Sequence, residues 1–112
     1  MLIIKREWGE KILNGEKRLE IRRGNCMVHV GKRIGLCFSG TGAVQGLVDL
    51  VGTVGPLDVP TWCARRRDHC VPGDKLPYGA HTWGWVMENP QWLDVPMQFE
   101  RNAAVIFQHV RM

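Results

Sequence analysis

The sequence predicts a mainly β domain, a small barrel with one or two short flanking helices. Three observations point there. Short apolar runs with a period of two are punctuated by glycine, the pattern of strands joined by tight turns. Helical spacing is confined to residues 7–14 and to a short stretch near residues 60–69. Gly46 and Gly52 interrupt the long β-rich run at residues 43–54, as the bends of a closing barrel require.

The elements follow in order. Residues 1–5 (MLIIK) read as a first strand. Residues 7–14 read as a helix: Trp8 and Ile12 are four apart and share a face, and Leu13 widens the stripe. Gly15 follows, where a chain leaving a helix favours a left-handed residue. From Arg18 to Arg23 the period becomes two, with Leu19 and Ile21 on one face and Arg18, Glu20 and Arg22 on the other. Periodicity alone favours a solvated charged face, whose exposed ion pairs contribute little; the sharper alternative is a polar pocket wall. Gly24-Asn25 is a turn, residues 26–30 a short extended piece, and residues 32–39 a strand with Ile34, Leu36 and Phe38 on one face. A turn over residues 39–42 leads into the strand at 43–54. Residues 54–78 hold Pro56, Pro60, Pro72 and Pro77 and read as irregular, with a short helix over 60–69 opened by Pro60 or Thr61. Such a segment is expected to form a lid over one end of the barrel. Residues 78–87 read as a strand carrying Trp83 and Trp85 on one face, and residues 104–110 as the closing strand.

The 112 residues make a single domain, 1–112, long enough for one modest core. No apolar run is long enough to span a bilayer, and the first apolar run stops at Ile4, too short for a signal peptide. The expected location is the cytoplasm or nucleus, with no membrane contact. The formal charge is +4, and 10 of the 15 basic residues are arginine, whose planar fork suits phosphates and stacks on bases. That leans weakly toward nucleic acid. The four cysteines form no C-x-x-C pair, and Cys26, His29, Cys63, His69 and Cys70 match no zinc spacing. Free thiols are expected, with no metal and no cofactor.

Trp8, Ile12, Gly15, Lys17, Glu20 and Arg22 stand as W-x3-I-x2-G-x-K-x2-E-x-R. This pattern resembles the signature of the ASCH domain, a branch of the PUA-like β-barrel superfamily. Residues 85–96 (WVMENPQWLDVP), followed by 104–110 (AVIFQHV), resemble the last strands and joining loop of small ASCH proteins. The resemblance implies a PUA-like barrel that binds RNA or DNA, in some branches through a single modified base. It also implies that Lys17, Glu20 and Arg22 line a cleft between helix and barrel. Lys17 would then offer a cation to a phosphate or base carbonyl. Glu20 would accept from an exocyclic amine or ring N–H, unless it only pairs with Arg22 to fix the barrel wall. Ser39, Gly40 and Thr41 would present backbone N–H groups, although a plain turn is the simpler reading.

Outside the motif, Trp62 and Tyr78 are the candidate stacking surfaces, whereas Trp85 and Trp92 read as core. Arg65, Arg66 and Arg67 are the densest basic run, a candidate phosphate patch or a solvated helix face. Three functions compete. The first is a binding module for RNA or single-stranded DNA, with a cleft for a base or modified nucleoside. The second is a hydrolase using Lys17 and Glu20, similar to the small ASCH amidohydrolases that deacetylate N4-acetylcytidine, or a ribonuclease. Where those amidohydrolases carry a threonine three residues after the lysine, this chain has Glu20, which would tend to keep Lys17 protonated. The third is a protein-interaction domain of the transcription-coactivator type, for which the sequence marks no partner. The first is preferred, with Lys17→Ala expected to weaken binding and leave the melting temperature nearly unchanged.

Overall fold

A computed structural model describes residues 1–98 of the protein. The predicted closing strand at 104–110 lies outside the described residues.

Five strands form one sheet, bent into a half-barrel: β1 (Leu2–Ile4), β2 (Leu19–Arg23), β3 (Lys32–Phe38), β4 (Ala43–Val54) and β5 (Thr82–Gln98), in the order β1-β3-β4-β5-β2. β1 runs parallel to β3, and the other pairs are antiparallel. Among the described residues, β1 and β2 are therefore the two edges. The register shifts between Val44 and Gly46 and between Leu50 and Gly52, so both glycines predicted to bend β4 sit at bulges.

Helix α1 (Arg6–Leu13) begins one residue earlier than the pattern predicts. Glu7 in its first turn and Lys11 in its last match the helix dipole. It ends at Asn14 and Gly15, whose φ is 81°; the N–H groups of Glu16 and Lys17 then bond back to the Lys11 carbonyl at 2.8 and 3.0 Å. Ile12 and Leu13 are buried in a core with Leu2, Ile4, Leu36, Phe38, Leu50 and Trp85. Gly9 sits where α1 approaches β3 most closely: a Cβ there would overlap the Phe38 ring, with Cδ1 at 2.7 Å.

Residues 54–78 do not form a lid over one end. They build a second layer on the outer face of β2 and β5. α2 (Val59–Ala64) and α3 (Arg66–His69) replace the single helix expected over 60–69. Asp58 opens α2 by accepting from the Thr61 N–H at 2.8 Å, and Cys70, at φ 64°, closes α3. A second core gathers beneath them, made of Leu19, Ile21, Leu57 and Trp62. Three other expectations are corrected. Residues 27–29 form a 3-10 turn rather than an extended piece. β5 continues through residues 88–98, where a joining loop was expected. Trp92, read as core, is 41% exposed; it meets Phe38 edge-on and donates its indole N–H to Asn14 Oδ1 at 2.8 Å.

Gly9→Ala should lower stability by about 1–3 kcal/mol through overpacking, although alanine is the better helix former by about 1 kcal/mol. Gly52→Ala meets nothing within 4 Å and serves as the near-neutral control. Urea denaturation of both variants checks the contrast.

Candidate functional site

β2 has a wall on each side, and this overturns the solvated-face reading. Leu19 and Ile21 enter the outer core, while Glu20 and Arg22 enter the inner one. Glu20 is 1% exposed, Arg22 2% and Lys17 2%. The alternation was read correctly in direction, but both directions lead indoors.

The three charges form one network. Arg22 Nε donates to Glu20 Oε2 at 3.0 Å. Its Nη2 donates to the Ile3 carbonyl at 3.0 Å, and its guanidinium lies 5.7 Å from the centre of the Trp85 ring. Arg22 Nη1 is buried and has no hydrogen-bond partner among the described residues. Lys17 Nζ lies 3.8 Å from Glu20 Oε1 and 4.8 Å from the Trp8 ring centre, and it donates to the His69 carbonyl. Burial raises the Glu20 carboxyl above its ordinary range, against the pull of Arg22 and Lys17. Burial also lowers the Lys17 ammonium, with Glu20 opposing. The expectation that Lys17 can be truncated without thermal cost does not survive this geometry. The side chain is enclosed, and its removal takes a charge partner from Glu20.

His69 ties this network to the outer layer. Its imidazole is stacked on Trp62, with centroids 3.8 Å apart. One ring nitrogen, Nε2, lies 2.8 Å from the Trp62 carbonyl, and the other, Nδ1, accepts from the Val71 N–H at 2.9 Å. That pair of bonds assigns the neutral Nε2–H tautomer, and burial lowers the group from 6.5. Sequence reasoning left His69 unplaced, because no local pattern announces a histidine bonded at both nitrogens.

A cleft of about 270 Å³ opens at the C-terminal end of α1, between the α1–β2 connection and the middle of β5. Ile12, Gly15, Lys17, Arg18, Met87, Glu88, Asn89 and Pro90 line it. Lys17 thus belongs to both the cleft wall and the buried network. Arg18 is exposed at the cleft, and its backbone N–H donates to the Asp68 carbonyl at 2.9 Å, setting α3 alongside. Glu88 and Asn89 were not among the predicted site residues; the Asn-Pro pair that follows Glu88 was read only as part of a loop.

The other predicted residues lie elsewhere. The turn at Ser39, Gly40 and Thr41 is at the opposite end of α1, with the Ser39 N–H on the Ile4 carbonyl. Thr41 Oγ1 is committed to its own turn, donating to the Phe38 carbonyl at 2.8 Å and receiving Gln45 Nε2 at 3.0 Å. Trp62 is fully buried and donates to the Gly73 carbonyl, so its face is closed to a base. Tyr78 is half-buried against the outer core. Arg65 pairs with Asp68 at 2.7 Å and Arg66 with Asp74 at 2.9 Å, leaving Arg67 exposed. Cys26 and Cys37 are buried free thiols, the former pushed up to about 11 by burial. Among the described residues, no three His, Cys, Asp or Glu side chains gather as metal ligands would, and no helix is long and apolar enough to cross a membrane.

Solved structures carry the same fold. A crystal structure of ASCH from Zymomonas mobilis matches with a TM-score of 0.72 at 21% identity, over 88% of this chain and 71% of that chain. Two point mutants of the same protein match at 0.71 and 0.68, each at 21% identity, over 88% and 87% of this chain and 73% and 71% of theirs. No family model matches the chain, and no curated protein does. The chain has the fold of these ASCH structures.

Removing one partner of a buried pair strands the other. Arg22→Leu should therefore cost about 3–5 kcal/mol. Adding Glu20→Leu to it should recover part of that loss, read from urea midpoints; a double variant as unstable as the sum of the singles would show that the two residues act independently. The His69 prediction concerns pH. Its folded-state value lies below 6.5, so the unfolded chain takes up the proton first as pH falls. Stability is full above 6.5 and is lost as pH drops from there through the folded value. The melting-temperature difference between the protein and its His69→Gln variant should shrink between pH 7.5 and pH 5.

Proposed function

We propose that the protein is a nucleic-acid-binding module, acting on RNA or single-stranded DNA in the cytoplasm or nucleus, and that the cleft beside α1 takes one base. The cleft itself carries this reading. At about 270 Å³ it is near the small end of ligand pockets, which begin at about 300 Å³. Its lining combines apolar surface from Ile12, Met87 and Pro90 with a few polar groups, Lys17, Arg18, Glu88 and Asn89, the mixture that orients a small ring system. Around it, Arg18 and Arg67 are exposed cations on adjoining elements, suited to the phosphates that flank a bound base. The overall charge of +4 favours the same polyanionic partner.

A second reading, a hydrolase acting on an acylated base such as N4-acetylcytidine or a ribonuclease, draws on the opposed shifts of Lys17 and Glu20. Burial shifts both toward their neutral forms, the direction in which acid–base groups of active sites are tuned. Against it, Lys17 Nζ is already enclosed by Glu20, Trp8 and the His69 carbonyl.

Fluorescence anisotropy with a short single-stranded RNA, at several salt concentrations, tests the binding module. Affinity should fall as salt rises. Because Arg18 is exposed, Arg18→Ala should keep the melting temperature while weakening binding and making the salt slope shallower by about 0.7, one phosphate contact on a single strand. Salt-independent or undetectable binding would remove the reading. Mass spectrometry of the same mixtures, with acetylated cytidine included, tests the hydrolase: turnover lost in Glu20→Gln would establish it.

A further inference from the structure

The wall of the cleft contributed by β5 is not a regular strand. Opposite it, β4 advances from Leu47 to Asp49, while β5 moves from Gln91 to Glu88. β5 therefore holds one extra residue there, a bulge at Asn89-Pro90. Asn89 has φ 54°, a left-handed conformation that costs energy in any residue but glycine and persists only where its surroundings hold it. Those surroundings are specific. Asn89 Nδ2 donates to Asp49 Oδ2 at 2.8 Å. Arg33 Nη1 donates to Asp49 Oδ1 at 2.8 Å and to the Asn89 carbonyl at 3.0 Å, and its Nη2 donates to Gln91 Oε1 at 3.1 Å. The hydrogen bonds from Arg33 and Asn89 hold the Asp49 carboxyl below its usual range. A clamp drawn from β3, β4 and β5 thus fixes the bulge.

The clamp engages Asn89 and Gln91, on either side of Pro90, but leaves Glu88 out. Among the described residues, the Glu88 carboxylate has no ion-pair or hydrogen-bond partner, and neither does the Arg18 guanidinium. Both line the same cleft. Their strands are tied there, the Met87 N–H donating to the Arg18 carbonyl at 2.8 Å. An acceptor-only group and a donor-only group therefore stand on adjoining walls of one base-sized space. Bulges at such places re-aim a side chain.

We propose that Glu88, positioned by the clamped Asn89 bulge, selects the base in this cleft, favouring bases that carry an exocyclic amine over uracil. The inference rests on the proposed nucleic-acid function and names its specificity. A carboxylate accepts hydrogen bonds and donates none. Cytosine, adenine and guanine each present an amine to it, with a ring nitrogen or carbonyl beside that amine for Arg18. Uracil offers that edge one ring N–H between two carbonyl oxygens, so a carboxylate that engages it meets an acceptor beside its only donor, with no amine to take its second oxygen. An acceptor set against an acceptor forfeits the hydrogen bond that an amine would make there.

The test is anisotropy with equal-length oligomers of cytidine, adenosine and uridine at one salt concentration. The protein should bind the uridine oligomer about tenfold more weakly, the order expected of one base contact. Glu88→Gln, at an exposed position, should keep the fold and lose this gap, because the amide can donate to a uracil carbonyl. Asn89→Gly keeps the left-handed backbone, removes the tether to Asp49, and should narrow the gap without altering the salt slope. Equal binding of the three oligomers, or a gap that persists in Glu88→Gln, overturns the inference and leaves the nucleic-acid function standing. Absence of binding to all three overturns both.

Discussion

The half-barrel depends on one guanidinium. Among the described residues, β1 and β2 are the two edges of the sheet, and a sheet edge presents a row of donors and acceptors. Arg22, rooted in β2, reaches the Ile3 carbonyl in β1 at 3.0 Å and so joins the edges through a side chain rather than a ladder. A lysine could not do this equally well. The planar fork lets one group serve Glu20 through Nε and Ile3 through Nη2, each in a fixed direction. Because the guanidinium is wholly buried, Glu20 has to be there too. A lone buried cation would carry a desolvation cost that no single carbonyl offsets.

Lys17 extends that logic outward. Its ammonium faces the Glu20 carboxylate on one side and the His69 carbonyl, the C-terminal end of α3, on the other. A cation is favourable at that end of a helix. The outer layer of residues 54–78 is thus fastened to the inner network by an ionic contact as well as by the Trp62 core. His69 sits at the fastening, its ring bonded at both nitrogens and stacked on Trp62. The irregular segment is held by this small set of specific polar contacts, and its proline-rich sequence does not have to propagate any regular ladder.

Much of this was legible in the sequence, and the failures have physical reasons. The glycines bending β4, the helix stop at Gly15 and the inward face of Ile34, Leu36 and Phe38 all follow from local rules, and the structure has them. Periodicity reported correctly that Glu20 and Arg22 point away from Leu19 and Ile21. It could not report that water is absent on both sides, since the second wall comes from residues 54–78, some forty residues away in sequence. Asn89-Pro90 carries turn chemistry and was read as part of a loop, yet the strand absorbs it as a bulge because Arg33 and Asp49 clamp it from β3 and β4. Trp62 was chosen for stacking because it lies in an irregular segment; the helix that segment forms turns it inward.

The charges of this protein fall into two sets with different physics. Lys17, Glu20 and Arg22 are enclosed and mutually satisfied apart from Arg22 Nη1. They set the geometry of the wall, and salt screens them little. Arg18 and Glu88 are exposed, line the cleft beside Lys17 and have no side-chain partner among the described residues, so their interactions with a ligand are the ones that salt and substitution can tune. A ring system entering the cleft would meet exposed groups whose backbone positions are already fixed, by the α1 stop and the Arg18–Met87 hydrogen bond on one wall and by the Asn89 clamp on the other. Little ordering then remains to oppose binding, which is what the proposed selection among bases requires of a cleft with so few polar groups.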